Sequence, residues 1–150
     1  MPRTWHINII NATIYKQDEE TLWIRITPAA KKMTMGKWLH FSEEELPIYK
    51  AAMEKFLEWA ETAKKRKVTS FEKQITDSEV LPVLKKLSEG KKIFFYPKIL
   101  MTVDKEGKIL FCIPETFGSQ WEESEVGDLL IILDKIPDVR KKFESETLFK

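Results

Sequence analysis

Several short stretches of this chain alternate strictly between apolar side chains and others. Leu22, Ile24 and Ile26 alternate with Trp23, Arg25 and Thr27. Leu39 and Phe41 alternate with Trp38 and His40, and Ile93, Phe95, Pro97 and Ile99 alternate with Lys92, Phe94, Tyr96 and Lys98. Period two marks a β-strand, whose successive side chains point to opposite faces. The pattern predicts strands over residues 5–15, 22–27, 33–41, 92–103 and 108–113, with a polar turn at 17–21. Asp104-Lys105-Glu106-Gly107 has the composition of a hairpin turn between the last two.

Elsewhere the period changes to that of a helix. Ser42 with Glu45 three residues on forms a capping box, and Pro47 suits a first turn, which together start a helix near Leu46. Ile48, Ala52, Phe56, Trp59 and Ala63 recur at helical spacing and face the core, and the helix ends in Lys64-Lys65-Arg66-Lys67. Residues 68–75 fit a strand or a loop. Thr76-Asp77-Ser78-Glu79 has the form of a second capping box, ahead of a short amphipathic helix through Val80, Val83, Leu84 and Leu87 that Gly90 can end. Residues 114–123 form a loop carrying Phe117 and Trp121. From Ser124 the chain turns helical again: Val126, Leu129, Leu130, Leu133 and Ile136 make a wide stripe, and Ile131 and Ile132 leave the segment apolar nearly all round. Pro137 interrupts it before a last helix over 138–145. The expected fold is α+β, an antiparallel sheet of about five strands with helices packed on one face and an apolar C-terminal helix.

Length and composition narrow the picture. A chain of 150 residues with 43% hydrophobic residues is expected to form one domain with an ordinary core. No run of 18 apolar residues and no hydrophobic leader segment is present, so neither a membrane span nor a signal peptide is expected and the cytoplasm is the default. The single cysteine, Cys112, excludes an intrachain disulfide and a multi-cysteine zinc site; flanked by Phe111 and Ile113, it reads as a buried, inert thiol. Lys and Glu are abundant and amides scarce, as in hyperthermophile proteins. Residues 1–110 hold 20 Lys and Arg against 15 Asp and Glu, a balance of +5, whereas residues 111–150 hold 5 against 9, a balance of −4. That segregation permits a basic front and an acidic back.

The alternating strands carry the candidate chemistry. Where a solvated face usually presents Thr, Ser or Glu, this chain presents Trp23, Arg25, Trp38, His40, Lys92, Phe94, Tyr96 and Lys98, with Lys37 beside them. Rings on which bases stack, interleaved with cations that meet phosphates, suit single-stranded nucleic acid. The competing account is that helices cover the rings as ordinary core, at the cost of burying Arg25, Lys92 and Lys98. Lys31 and Lys32 fit a solvated loop, and Lys64–Lys67 fit the C-terminal end of a helix dipole. His6 and His40 lack metal-ligand spacing, and no phosphate loop, nucleophile motif or paired catalytic carboxylates occur, so no metal, cofactor or enzymatic activity is expected. The apolar block Leu129, Leu130, Ile132 and Leu133 needs burial, either within the chain or against a second copy. The segment 124–150 is thus a candidate oligomer contact, with a homodimer or higher homo-oligomer expected.

In its size, thermophile-like composition, aromatic–basic sheet, neighbouring long helix and apolar C-terminal helix, the chain resembles the ThermoDBP and ThermoDBP-related single-stranded-DNA-binding proteins of hyperthermophilic archaea. The resemblance implies a single strand held between sheet and helices. The face of Trp23, Arg25, Trp38, Lys92, Phe94, Tyr96 and Lys98 would bind it, and the region of Leu129–Leu133 would mediate association. The C-terminal stripe here is short and broken by Pro137, which leaves no long zipper. The expected function is sequence-tolerant binding of single-stranded DNA, or RNA. The alternative is a non-catalytic protein–protein adaptor or a subunit of an archaeal complex, since exposed aromatics and Arg also favour protein interfaces.

Overall fold

The computed structural model describes residues 3–7, 10–16, 22–28, 39–89, 97–114 and 119–148. The chain is α+β with antiparallel pairing throughout, and its strands divide into two sheets of four. The first has the order β1 (Arg3–Ile7), β2 (Ile10–Lys16), β3 (Leu22–Pro28), β4 (Leu39–Ser42); the second, β5 (Phe71–Gln74), β6 (Leu100–Val103), β7 (Ile109–Ile113), β8 (Ser119–Trp121). Four helices accompany them among the described residues: α1 (Leu46–Lys65), α2 (Pro82–Glu89), α3 (Glu123–Asp134) and α4 (Ile136–Leu148). No described helix is long and apolar enough to cross a membrane.

The stretch 5–15 is a hairpin rather than one strand, with Ile7 pairing Ile10. Alternation carries through both arms, so period two alone does not mark the reversal. A 3-10 turn over Glu43–Glu45 leads into α1. The expected capping box is present, with Ser42 N and Oγ both donating to Glu45 Oε1 at 3.3 and 3.0 Å. The second expected box is not a cap. Thr76 Oγ1 donates to the Pro97 carbonyl at 2.7 Å and accepts from Ile99 N–H at 2.9 Å, while Asp77 Oδ1 takes Glu79 N–H and α2 starts later, at Pro82. The predicted strand 92–103 is observed only from Leu100; residues 97–99 belong to the connection that Thr76 pins, and 90–96 lie outside the described residues. The β6–β7 turn forms as its composition predicts. Gly107 has φ +89°, and Asp104 Oδ1 accepts Glu106 N–H and Lys108 N–H at 2.8 and 2.9 Å. Those backbone donors, Lys108 first, hold the Asp104 carboxyl below its ordinary range. Ser119–Trp121, expected in a loop, is the edge strand β8, and Trp121 Nε1 donates to Ser119 Oγ at 2.6 Å inside the core.

The long helix α1 joins the two sheets. Tyr49 near its start stacks on Phe41 of β4 at 4.4 Å, and Phe56 halfway along meets Phe111 of β7 edge-on at 5.3 Å. One apolar cluster runs through the inner face of each sheet, α1, α2 and α3. Helix α3 lies antiparallel against α1, with Lys64 Nζ to Glu123 Oε2 at 3.0 Å at one end and Lys50 Nζ to Asp134 Oδ1 at 2.8 Å at the other. Arg140 Nη1 of α4 reaches Glu43 Oε1 at 2.6 Å.

This packing corrects the expected oligomer contact. Leu129, Ile132 and Leu133 are fully buried within the single chain and Leu130 packs partly against the same core. The burial that the apolar block demands comes from α1 and from both sheets, through β1, β2 and β7, and only Ile131 of the run, at 48% exposure, faces outward.

Candidate nucleic-acid interface

The inner face of the first sheet consists of Leu22, Ile24 and Ile26 of β3 with Leu39 and Phe41 of β4, all buried. Alternation then fixes the outer face. Register pairs Arg25 with His40 and Trp23 with Ser42 across β3–β4, and Tyr15 with Trp23 and Thr13 with Arg25 across β2–β3. Paired residues share a face, so Trp23, Arg25, Thr27 and His40 stand together, joined at their register positions by Thr13 and Tyr15. Trp23, Thr27, His40 and Thr13 are half-buried and Arg25 is exposed, so this face is open to solvent.

Trp23 and His40, diagonal neighbours on adjacent strands, stack with ring centroids 4.8 Å apart and 24° between planes. Partial burial, then the adjacent Arg25 guanidinium, push the His40 imidazole below its ordinary pKa, while Glu45 opposes them. The lowered pKa favours the neutral ring, a flat surface beside the Arg25 cation. Ser42, next along β4, is buried because it caps the following helix.

Of the other residues expected here, Lys37, Trp38, Lys92, Phe94 and Tyr96 lie outside the described residues. Lys98 is exposed, yet it belongs to the connection entering β6 in the second sheet, not to the sheet of Trp23. The structure thus unites Trp23, Arg25 and His40 and separates Lys98 from them. Among the described residues no cluster of three or more His, Cys, Asp or Glu side chains could hold a metal ion. Cys112 is buried, its Sγ 3.5 Å from Thr102 Oγ1.

A second aromatic and basic group escaped the sequence pattern. Trp59, Thr62 and Ala63 of α1 and Arg66 at its C-cap, with Val68, Phe71, Lys73 and Met101, line an open groove of about 280 Å³. Lys73 Nζ sits 4.8 Å above the Trp59 ring. The signal was present as Phe71 and Lys73 two apart and Trp59 and Arg66 seven apart, but only the pairing of β5 with β6 brings the two sets together. Comparison of the chain with protein-family models, with curated proteins and with solved structures finds no match.

Proposed function

We propose that this protein binds single-stranded nucleic acid, DNA or RNA, without strong sequence preference and without catalysis, through the outer face of its first sheet. The observation that carries this reading is the Trp23–His40 stack beside the exposed Arg25 on an open sheet face. The resemblance to archaeal single-stranded-DNA-binding proteins agrees with it. A ring surface takes up any base, since every base has a π-face, and stacking contributes roughly 1–3 kcal/mol per base. Arg25 meets the phosphate between stacked bases, and a duplex, whose bases are already stacked, gains little from the same rings.

The test is fluorescence anisotropy of a labelled mixed-sequence strand of about 20 nucleotides at several salt concentrations, with duplex as control. Trp23→Ala should weaken single-strand binding by roughly 1–3 kcal/mol while the thermal melt stays close to that of the parent. Arg25→Ala should reduce the slope of log affinity against log salt by about 0.7, the share of one phosphate contact on a single strand. Salt-insensitive binding, equal affinity for duplex, or loss of folding in step with loss of binding overturns the reading and leaves the adaptor role.

A further inference from the structure

The groove between α1 and β5 has two walls of different kinds. One is a helix face at spacing i, i+3 and i+4, formed by Trp59, Thr62 and Ala63 and continued by the C-cap residue Arg66. The other is β5, the edge of the second sheet among the described residues, whose four residues are all exposed. Phe71 and Lys73, two apart, share the side of β5 that lines the groove, over a floor of Ala63 and Met101. Phe71 is 41% exposed, one of the two exposed large hydrophobic side chains among the described residues. An edge strand also presents a row of backbone N–H and C=O groups with no neighbour on one side.

The wall between helix and edge is held by local geometry. Helix α1 ends with Val68 N–H on the Ala63 carbonyl and Lys67 N–H on the Lys64 carbonyl, and both Lys67 (φ +51°) and Ser70 (φ +52°) take left-handed backbone. Ser70 N–H then bonds the Asp104 carbonyl at 3.0 Å, which starts the pairing of β5 with β6.

We infer that this groove is a docking site for an extended partner peptide of alternating apolar and acidic residues, which adds as a strand along the edge of β5 that is unpaired among the described residues. Three observations select that occupant. The lining holds two cations, Arg66 and Lys73, and no acid, so the rim favours a negative partner. The floor is apolar, and at about 280 Å³ it lies below the roughly 300–1,000 Å³ of ordinary small-molecule pockets, so it takes one or two side chains rather than a cofactor. Strand addition to an edge supplies main-chain hydrogen bonds, and every second side chain of the added strand enters the groove. A nucleic-acid strand is the poorer fit, because a sugar–phosphate backbone cannot match an amide edge. The cation–π contact with Trp59 fixes Lys73 before a partner arrives, which lowers the entropy cost of binding.

The experiment is a display selection of random octapeptides on the full chain, followed by anisotropy with the enriched peptides and hydrogen exchange of the β5 amides. Selected peptides should alternate apolar and acidic residues, lose at least tenfold in affinity to Arg66→Glu and to Lys73→Glu, and slow exchange within residues 71–74. Both sites are exposed, and circular dichroism checks that each variant folds; Lys73→Gln serves in place of a glutamate variant that does not. Trp23→Ala should leave peptide binding unchanged, which keeps this test separate from that of the nucleic-acid face. Four results overturn the inference: no enrichment, enriched peptides indifferent to both charge reversals, β5 protection that rises with protein concentration alone, as self-pairing would give, or loss of single-strand binding in Arg66→Glu.

Discussion

Lys67 occupies the position after the last turn of a helix where glycine is the usual residue. Its φ of +51° puts Cβ against the following carbonyl, yet the turn needs that conformation to direct Val68 N–H back to the Ala63 carbonyl. Lys67→Gly removes the clash and retains both closing hydrogen bonds. We expect it to stabilise the protein by about 1 kcal/mol, read as a higher urea midpoint with unchanged slope. His40 makes a different residue-scale prediction. Its folded pKa lies below the ordinary 6.5, so as pH falls the unfolded chain takes up this proton first. The contribution of neutral His40 is complete above about pH 6.5 and is lost as pH falls through the folded value. The urea midpoint should therefore drop as pH falls below about 6.5, and His40→Gln should flatten that part of the profile. Arg25→Gln should raise the NMR titration midpoint of His40, and Glu45→Gln should lower it; no movement in either variant would remove those charges from the account.

At the scale of elements, α1 binds the two sheets together. Its 20 residues span about 30 Å, long enough to meet β4 near its start and β7 further along. Phe56 is fully buried at the second of these meetings, edge-on to Phe111. Phe56→Ala should cost about 3–5 kcal/mol in chemical denaturation, a large part of the 5–15 kcal/mol typical of a domain. A loss under 1 kcal/mol would mean that the sheets hold together without this helix. Helix α1 was legible in the sequence because its determinants are local: a capping box at Ser42 and Glu45, Pro47 in the first turn, and an apolar stripe at period 3.6. The β6–β7 hairpin was legible for the same reason, through Asp104 and Gly107. What stayed hidden depends on distant partners. Thr76 looks like a cap, and only the fold brings Pro97 and Ile99 to its hydroxyl. Phe71–Gln74 has no buried position to betray a strand; it is one because β6 lies beside it.

At the scale of the whole molecule, period two says that a segment is a strand but not which sheet it joins. Trp23 and Lys98 therefore read as one surface in the sequence, whereas in the fold Trp23 stands on the first sheet and Lys98 in the connection entering the second. Burial carries the same ambiguity: an all-round apolar helix must be covered, and the pattern does not say by what. Here Leu129, Ile132 and Leu133 are buried on a helix packed against α1 and both sheets, and Ile131 alone of that run is exposed. Two aspartate substitutions one residue apart separate core from contact. Ile132→Asp places an unpaired carboxylate in the core and should cost about 3–5 kcal/mol, unfolding the chain at every protein concentration. Ile131→Asp sits at the surface and should change stability by no more than about 0.5 kcal/mol. Its sedimentation coefficient should equal that of the parent across a hundredfold range of concentration. A lower mass for Ile131→Asp with the fold intact would place a subunit contact on the exposed ridge of α3. Concentration-dependent rescue of Ile132→Asp would show that a second copy, and not the chain's own core, covers this helix.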